Sequence, residues 1–160
     1  MPIESPRIGG KALKNGETLA EECLDKMKEI MLSVVNYHPS FAVETAGVGA
    51  FPSPSRPRVL WLGLKPVDRL VALRADLTEG FRSIGLPTED RPFKPHLTLG
   101  RARGKVRGAA AVLERYRDLS AGTLPVDRFT IYESRLESSG ARHIPLQTVR
   151  LRAEEEQPES

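Results

Sequence analysis

Thiol chemistry is almost absent from this chain: Cys23 is its one cysteine among 160 residues. No disulfide can close within the chain and no thiolate cage can hold a metal, so a reducing compartment is the simplest setting. Its place in a helical pattern marks Cys23 as a buried thiol. Long hydrophobic runs are also missing, since nothing approaches the ~20 apolar residues that cross a bilayer. The opening "MPIESPRIGGKALKNG" has no apolar signal-peptide core. A soluble, cytoplasmic protein with no membrane partner is expected. There is no G-x-x-x-x-G-K-[ST] loop, no H-E-x-x-H and no Cys/His cluster. "GKALKNG" has the wrong spacing for a phosphate loop, so nucleoside triphosphate hydrolysis and metal chemistry have no footing, and no cofactor is expected. Ser53, Ser55 and Ser134 have no visible His/Asp arrangement around them. Histidine is scarce, with only His38, His96 and His143.

What is present suits one domain. A chain of 160 residues buries about two-thirds of its unfolded surface, enough for a core without covalent staples. The net charge is +3, but the last eight residues, "AEEEQPES", contain four glutamates and no base, so the body to Arg152 has 24 bases against 17 acids, or +7. A basic body favours polyanionic partners such as RNA or phosphate esters.

Residues 1–17 read as a loose arm, rich in Gly, Pro and Lys without a period. "TLAE" from Thr18 fits a capping box. Cys23, Met27, Ile30, Met31 and Val34 then recur at helical spacing up to about Tyr37, where His38-Pro39 ends the helix. His38 is expected to cap it or lie at the surface. Phe41 to Val48 is a short β-prone run, followed by "GVGAFPSPSRP" as loop with an extended edge. "RVLWLGL" from Arg58 suits a central strand covered on both faces. Pro66 opens a second helix at a first-turn position, with Leu70, Leu73, Leu77, Phe81 and Ile84 as its stripe and Gly85 and Pro87 as its end. Phe93 to Ala102 reads as strand, and Ala109 to Leu119 as a third helix with Val112, Leu113 and Tyr116 inward. Val126 to Leu136 and Arg142 to Leu151 form a hairpin across "ESSGA". Residues 153–160 read as an acidic disordered tail. The mixture lacks strict βα alternation and predicts an α+β fold, mainly antiparallel, with helices outside.

"RPFKPHLTLGRARGK" concentrates the chemistry. Side chains alternate across a strand, so His96 and Thr98 share one face while Leu97 and Leu99 anchor the other. Imidazole titrates at ~6.5, near working pH, and can give or take a proton. The Thr98 hydroxyl can donate to a phosphoryl oxygen or fix the ring. Arg101, at the end of the strand, offers a guanidinium that pairs bidentately with phosphate. Read blandly, His96 is a satisfied strand histidine and "RARGKVR" a solvated loop.

"EDRPFKPHLTLGR" resembles the second H-x-T motif of the 2H phosphoesterase superfamily, in particular its RNA 2′,3′-cyclic phosphodiesterases, once called 2′-5′ RNA ligases. "GVGAFPSPSRPRVLWLGL" is similar to that family's strand, loop and Trp-bearing strand. "IYESRLESSGARHIPLQTVRL" resembles its closing hairpin, and the likeness extends over about Thr18 to Leu151. It implies a two-lobed fold over residues 18–152 and metal-independent chemistry with no cofactor. One His activates water against a 2′,3′-cyclic phosphate, a second protonates the leaving 3′ oxygen, and a 2′-phosphate remains. Carried to this chain, His96 and Thr98 are catalytic, and Arg101 and His143 bind substrate. The partners are RNA ends or nucleoside 2′,3′-cyclic phosphates.

One element of the family pattern is not found. The first H-x-T motif belongs upstream of the helix at Thr18, where this chain has "IGGKALKNGE". His38 lacks a Thr two residues on, so the N-terminal lobe is expected to be incomplete and turnover weak. In order of preference, the chain is a shortened relative of the enzyme, a catalytically inactive module that binds RNA ends or nucleotides, or one site completed by a partner chain. A purely structural interaction protein is a further reading. A shortened lobe would expose a sheet edge and favour self-association.

Overall fold

The computed structural model describes residues 21–153, and the arm of residues 1–17, the capping role of Thr18 and the acidic tail beyond Ala153 lie outside them. The chain is α+β, with helices α1 (Glu21–Val34), α2 (Asp68–Ser83) and α3 (Ala109–Arg115). Its strands are β1 (Phe41–Ser53), β2 (Arg56–Lys65), β3 (His96–Arg101), β4 (Thr123–Val126), β5 (Arg128–Glu137) and β6 (Gly140–Arg150). They form two compact units. No helix among the described residues is long and apolar enough to cross a membrane.

The first unit, built from residues 42–70 and 93–125, holds a four-stranded sheet in the order β3-β2-β1-β4. β2 pairs antiparallel with both β1 and β3. As the apolar run predicts, β2 is an inner strand. Its two faces differ, however: Leu62 and Leu64 are buried, whereas Val59, Trp61 and Gly63 are only half-buried. Thr45 is a buried polar residue with both capacities used, its Oγ1 donating to the Gly122 carbonyl at 3.1 Å and accepting from Ala121 N–H at 2.6 Å.

The expectation of a loop over Gly47 to Pro57 is corrected, because β1 continues through this segment to Ser53 and meets β2 after a tight turn. Gly49, Pro52 and Pro57 are built into the ladder, while Gly47 falls at a bulge and Pro54 in the turn. Gly49 stands opposite Trp61, and a Cβ there would lie 2.2 Å from the indole ring. Only glycine leaves room for the ring to lie across β1.

α3 also departs from expectation. It ends at Arg115 and buries no residue; Val112 is 57% and Tyr116 47% exposed. Two turns are too short to present a full apolar stripe.

The second unit comprises residues 21–41, 71–92 and 126–153 among those described. α1 buries Met27, Met31 and Val34, while Cys23 is only partly covered, less than expected. A 3₁₀ turn, Val35–Tyr37, follows and is closed by the His38 N–H bonding to Val35 O. Leu70, Leu73, Leu77 and Phe81 are buried along α2 as the periodicity predicts. The helix starts at Asp68, after Pro66 rather than on it, with the Asp68 carboxylate at its positive end. It ends in a Schellman arrangement: Gly85 has φ +81°, its N–H bonds to Arg82 O, and Leu86 N–H reaches Phe81 O.

β5 and β6 form a separate two-stranded antiparallel sheet. The long strand expected from Val126 is divided, because β4 ends at Val126 and β5 begins at Arg128. Asp127 lies between them and its carbonyl accepts from Leu151 N–H. Ile131 and Val149 bury one hairpin face. On the other, Thr130 and Thr148 bond hydroxyl to hydroxyl at 2.8 Å.

Candidate active site

The first unit's sheet brings His96, Thr98 and Arg101 to one face by a route that alternation alone does not give. His96 stands opposite Gly63 and Thr98 opposite Trp61, but the next pairs are Gly100 with Leu60 and Arg101 with Val59. Leu99 is thus an extra residue, a β-bulge. Strict alternation would put Arg101, five residues from His96, on the opposite face. The bulge flips the phase, so all three residues follow Gly63, Trp61 and Val59 along one side of β2. Leu99 pays with its side chain: it is 51% exposed and does not anchor the strand as expected, whereas Leu97 is buried. Each step along the row is two residues of β2, about 7 Å. Thr98 therefore lies midway, within an arginine's reach of Arg101.

Backbone geometry sets the tautomer of His96. Its Nδ1 lies 2.6 Å from the Lys94 carbonyl. A carbonyl only accepts, so Nδ1 carries the proton and Nε2 is left with the lone pair of a base, or the second proton of an acid when the ring is charged. Lys94 sits two residues earlier, just before Pro95 and outside the strand, which frees its carbonyl from the sheet ladder. Around the ring stand aromatic side chains. The Phe51 ring meets it edge-on with centroids 5.0 Å apart, and Trp61 lies at 6.4 Å. Phe51 and Trp61 are themselves 5.3 Å apart. Such edge contacts hold an imidazole in place without competing for its nitrogens.

The polar atoms at this face are enclosed. His96 Nε2, Thr98 Oγ1 and Trp61 Nε1 are all buried. Among the described residues no hydrogen-bond partner reaches Thr98 Oγ1 or Trp61 Nε1. Leaving a buried donor unsatisfied costs about 1–3 kcal/mol, which a fold accepts at positions that serve a ligand. The face offers a fixed imidazole, a hydroxyl, an indole N–H and a guanidinium. That is one acid/base and three donors, a set matched to a phosphoryl group.

The other histidines have different surroundings, both in the second unit. His38 is largely covered, and its Nε2 meets Asp76 Oδ2 of α2 at 2.6 Å. His143 is exposed on β6, paired across the ladder with Ser134, and its Nδ1 lies 2.9 Å from Ser134 Oγ. Ser134 thus has a partner that the linear sequence did not reveal, although counting back from the Ser138-Ser139 turn would have found it. On the opposite face of β5, Arg135 is gripped by Glu133 through two bonds of 3.0 and 3.1 Å. That hydrogen bonding raises the guanidinium pKa above its ordinary value. The cations after Arg101 (Arg103, Lys105 and Arg107) are exposed, as a solvated loop would be. No group of three or more His, Cys, Asp or Glu side chains able to hold a metal ion occurs among the described residues.

Sequence reasoning missed Phe51, Trp61 and the Lys94 carbonyl. A signal for the first two was present: Gly49-x-Phe51 and Trp61-x-Gly63 alternate on neighbouring strands, a pattern of small beside large that marks one ring lying across a flat backbone.

The profile described as 2′-5′ RNA ligase superfamily matches residues 16–137, and the chain belongs to this superfamily, whose members are 2H phosphoesterases. Among curated proteins it is 36% identical over 122 residues to an RNA 2′,3′-cyclic phosphodiesterase of Archaeoglobus fulgidus, covering 76% of this chain and 68% of that one. A protein of the same name from Thermotoga maritima is 32% identical, over 75% of this chain and 63% of the relative. The chain thus spans about two-thirds of the length of these relatives. Among solved structures it is similar to TT0787 of Thermus thermophilus, with a TM-score of 0.67 and 26% identity over 86% of this chain and 74% of that one. E. coli LigT complexed with 3′-AMP gives 0.57 and 25% over 94% and 84%.

Proposed function

We propose that this chain acts on RNA 2′,3′-cyclic phosphate ends and opens the ring to a 2′-phosphate, with His96 as acid or base. The observation that carries this reading is the tautomer lock: the Lys94 carbonyl engages Nδ1, so Nε2 is the nitrogen that exchanges protons at the same face as Thr98. Thr98 Oγ1 donates to a phosphoryl oxygen and Arg101 compensates the charge that builds as water attacks phosphorus. The bond from phosphorus to the 3′ oxygen breaks, and that oxygen takes up a proton. His143, exposed beside Ser134 in the second unit, is the remaining substrate-binding candidate. The names of the A. fulgidus and T. maritima relatives support the same chemistry.

The sequence holds a single H-x-T, and a positioned general acid or base contributes about 10²–10⁴-fold. Turnover should therefore be slow, by roughly that factor, against an enzyme with two such histidines. The assay is hydrolysis of a nucleoside 2′,3′-cyclic phosphate, with the product isomer identified by chromatography. Slow release of the 2′-phosphate, reduced at least about tenfold further in His96→Ala, supports the reading. Binding of the cyclic phosphate without product in either protein favours a module that grips RNA ends. Release of the 3′-phosphate, or a rate indifferent to His96, removes the proposal.

A further inference from the structure

Beyond Arg101 the same end of the sheet carries a field of one sign. From Thr45 to Val67 the chain has Arg56, Arg58 and Lys65 and no carboxylate; from Arg91 to Leu113 every charged residue is again a Lys or Arg. These segments contain β2 and β3, which pair with each other; Lys65, at the far end of β2, meets Glu44 of β1 at 4.0 Å, while the start of β2 and the end of β3 contribute only Arg56, Arg58 and Arg101 as charged residues. Arg56 and Arg58 open β2 while Arg101 closes β3, and Ala102 N–H bonds to Arg58 O at 2.9 Å. The loop with Arg103, Lys105 and Arg107 therefore leaves the sheet beside the start of β2.

Elsewhere five of the arginines are neutralised. Arg82, Arg117, Arg128, Arg135 and Arg142 each have a carboxylate oxygen within 3.6 Å. Arg56, Arg58, Arg103, Lys105 and Arg107 are all exposed, and none is engaged by a carboxylate among the described residues. A surface shaped only by solubility intersperses both signs. Crowding cations of one sign raises their mutual repulsion, which a polyanion relieves.

We propose that Arg56, Arg58, Arg103, Lys105 and Arg107 form a track for the phosphodiester backbone of an RNA strand that enters the His96–Thr98–Arg101 face by its 3′ end. This rests on the cyclic phosphodiesterase reading for the identity of the strand, since only ribose forms a 2′,3′-cyclic phosphate. With the terminal phosphate over Thr98, the upstream phosphates run past Arg101, along the start of β2 and the 102–108 loop. The substrate is thereby an RNA chain, and a mononucleotide fills only the inner end of the site.

Single-strand binding weakens with salt at about 0.7 log units per log unit of salt for each phosphate neutralised. Five cations give a slope near −3.5, or roughly a 100-fold loss of affinity between about 50 and 200 mM NaCl. The test measures Kd by fluorescence anisotropy for a labelled oligoribonucleotide of about eight residues ending in a 2′,3′-cyclic phosphate, and by calorimetry for cytidine 2′,3′-cyclic phosphate. Both are repeated on R103Q/K105Q/R107Q, whose fold is checked by tryptophan emission.

The expected result is tight, steeply salt-dependent binding of the oligonucleotide, a slope smaller by about 2 in the triple variant, and an unchanged mononucleotide Kd. If the mononucleotide binds through His96 but added length and the three substitutions change nothing, the track is overturned and the phosphodiesterase reading stands. If length and the loop cations matter but the cyclic end and His96→Ala do not, the track stands and that reading falls. Stronger binding to phosphatidylserine vesicles than to the oligonucleotide also overturns the track.

Discussion

Replacing Gly49 by Ala adds one carbon at the centre of the aromatic cluster that supports His96. That Cβ would sit 2.2, 2.3 and 2.7 Å from three atoms of the Trp61 indole. A fused ring cannot yield by a small torsion at its tip, so it must swing away from β1, taking its contacts with Phe51 and His96 with it. Inserting a methyl group into a filled space costs about 1–3 kcal/mol. For a chain of this size each kcal/mol lowers Tm by about 2–4 °C, so a fall of roughly 5 °C is expected by calorimetry. Trp61 is the only tryptophan, so its emission reports the displacement directly, with altered maximum and intensity in the native state. Gly100→Ala is the matched control: it lies in β3, on the other side of β2, with nothing within 4 Å of its Cβ and should stay within about 1 kcal/mol of the parent. If Gly49→Ala and Gly100→Ala have equal Tm and unchanged emission, the claim that glycine admits the indole is wrong.

Three further substitutions probe other parts of the argument. Gly85→Ala forces a residue with a side chain into φ +81° and should cost about 1–2 kcal/mol in urea unfolding; an unchanged midpoint would remove the Schellman stop from the account. Thr45→Val deletes both hydrogen bonds of the buried hydroxyl and should cost about 1–3 kcal/mol by the same measurement; a neutral result would mean that water takes over both partners. Deleting Leu99 removes the bulge and leaves Arg101 two residues after Thr98, on the same face by plain alternation, so affinity for a nucleoside 2′-phosphate should be retained, whereas Arg101→Ala should lower it at least about tenfold; an equal loss in both would show that the face of Arg101 is not what the bulge sets.

Elements with a strong period were legible in the sequence. The stripe from Leu70 to Phe81 is buried as read, and His96 and Thr98 share a face as alternation predicts. What escaped depends on partners that are distant in sequence. Gly and Pro in "GVGAFPSPSRP" carry the local signature of a loop, but the indole of Trp61, on another strand, requires a glycine at 49 and makes the segment a strand. The bulge at Leu99 follows from how β3 meets β2, and no window of β3 alone contains that information. In α3, the spacing of Val112 and Tyr116 is helical, yet the helix ends before those residues find a surface to cover. The lock on His96 comes from a main-chain carbonyl, and any residue at position 94 presents one.

The most direct test follows the His96 ring protons and nitrogens by NMR while a nucleoside 2′-monophosphate is added. The protonated nitrogen should be Nδ1, and the ring signals should shift on saturation and lose that response in Thr98→Ala or Arg101→Ala. Nucleotide binding that leaves the His96 signals in place, or a ring protonated on Nε2 alone in the neutral state, would contradict the arrangement on which the proposed chemistry stands.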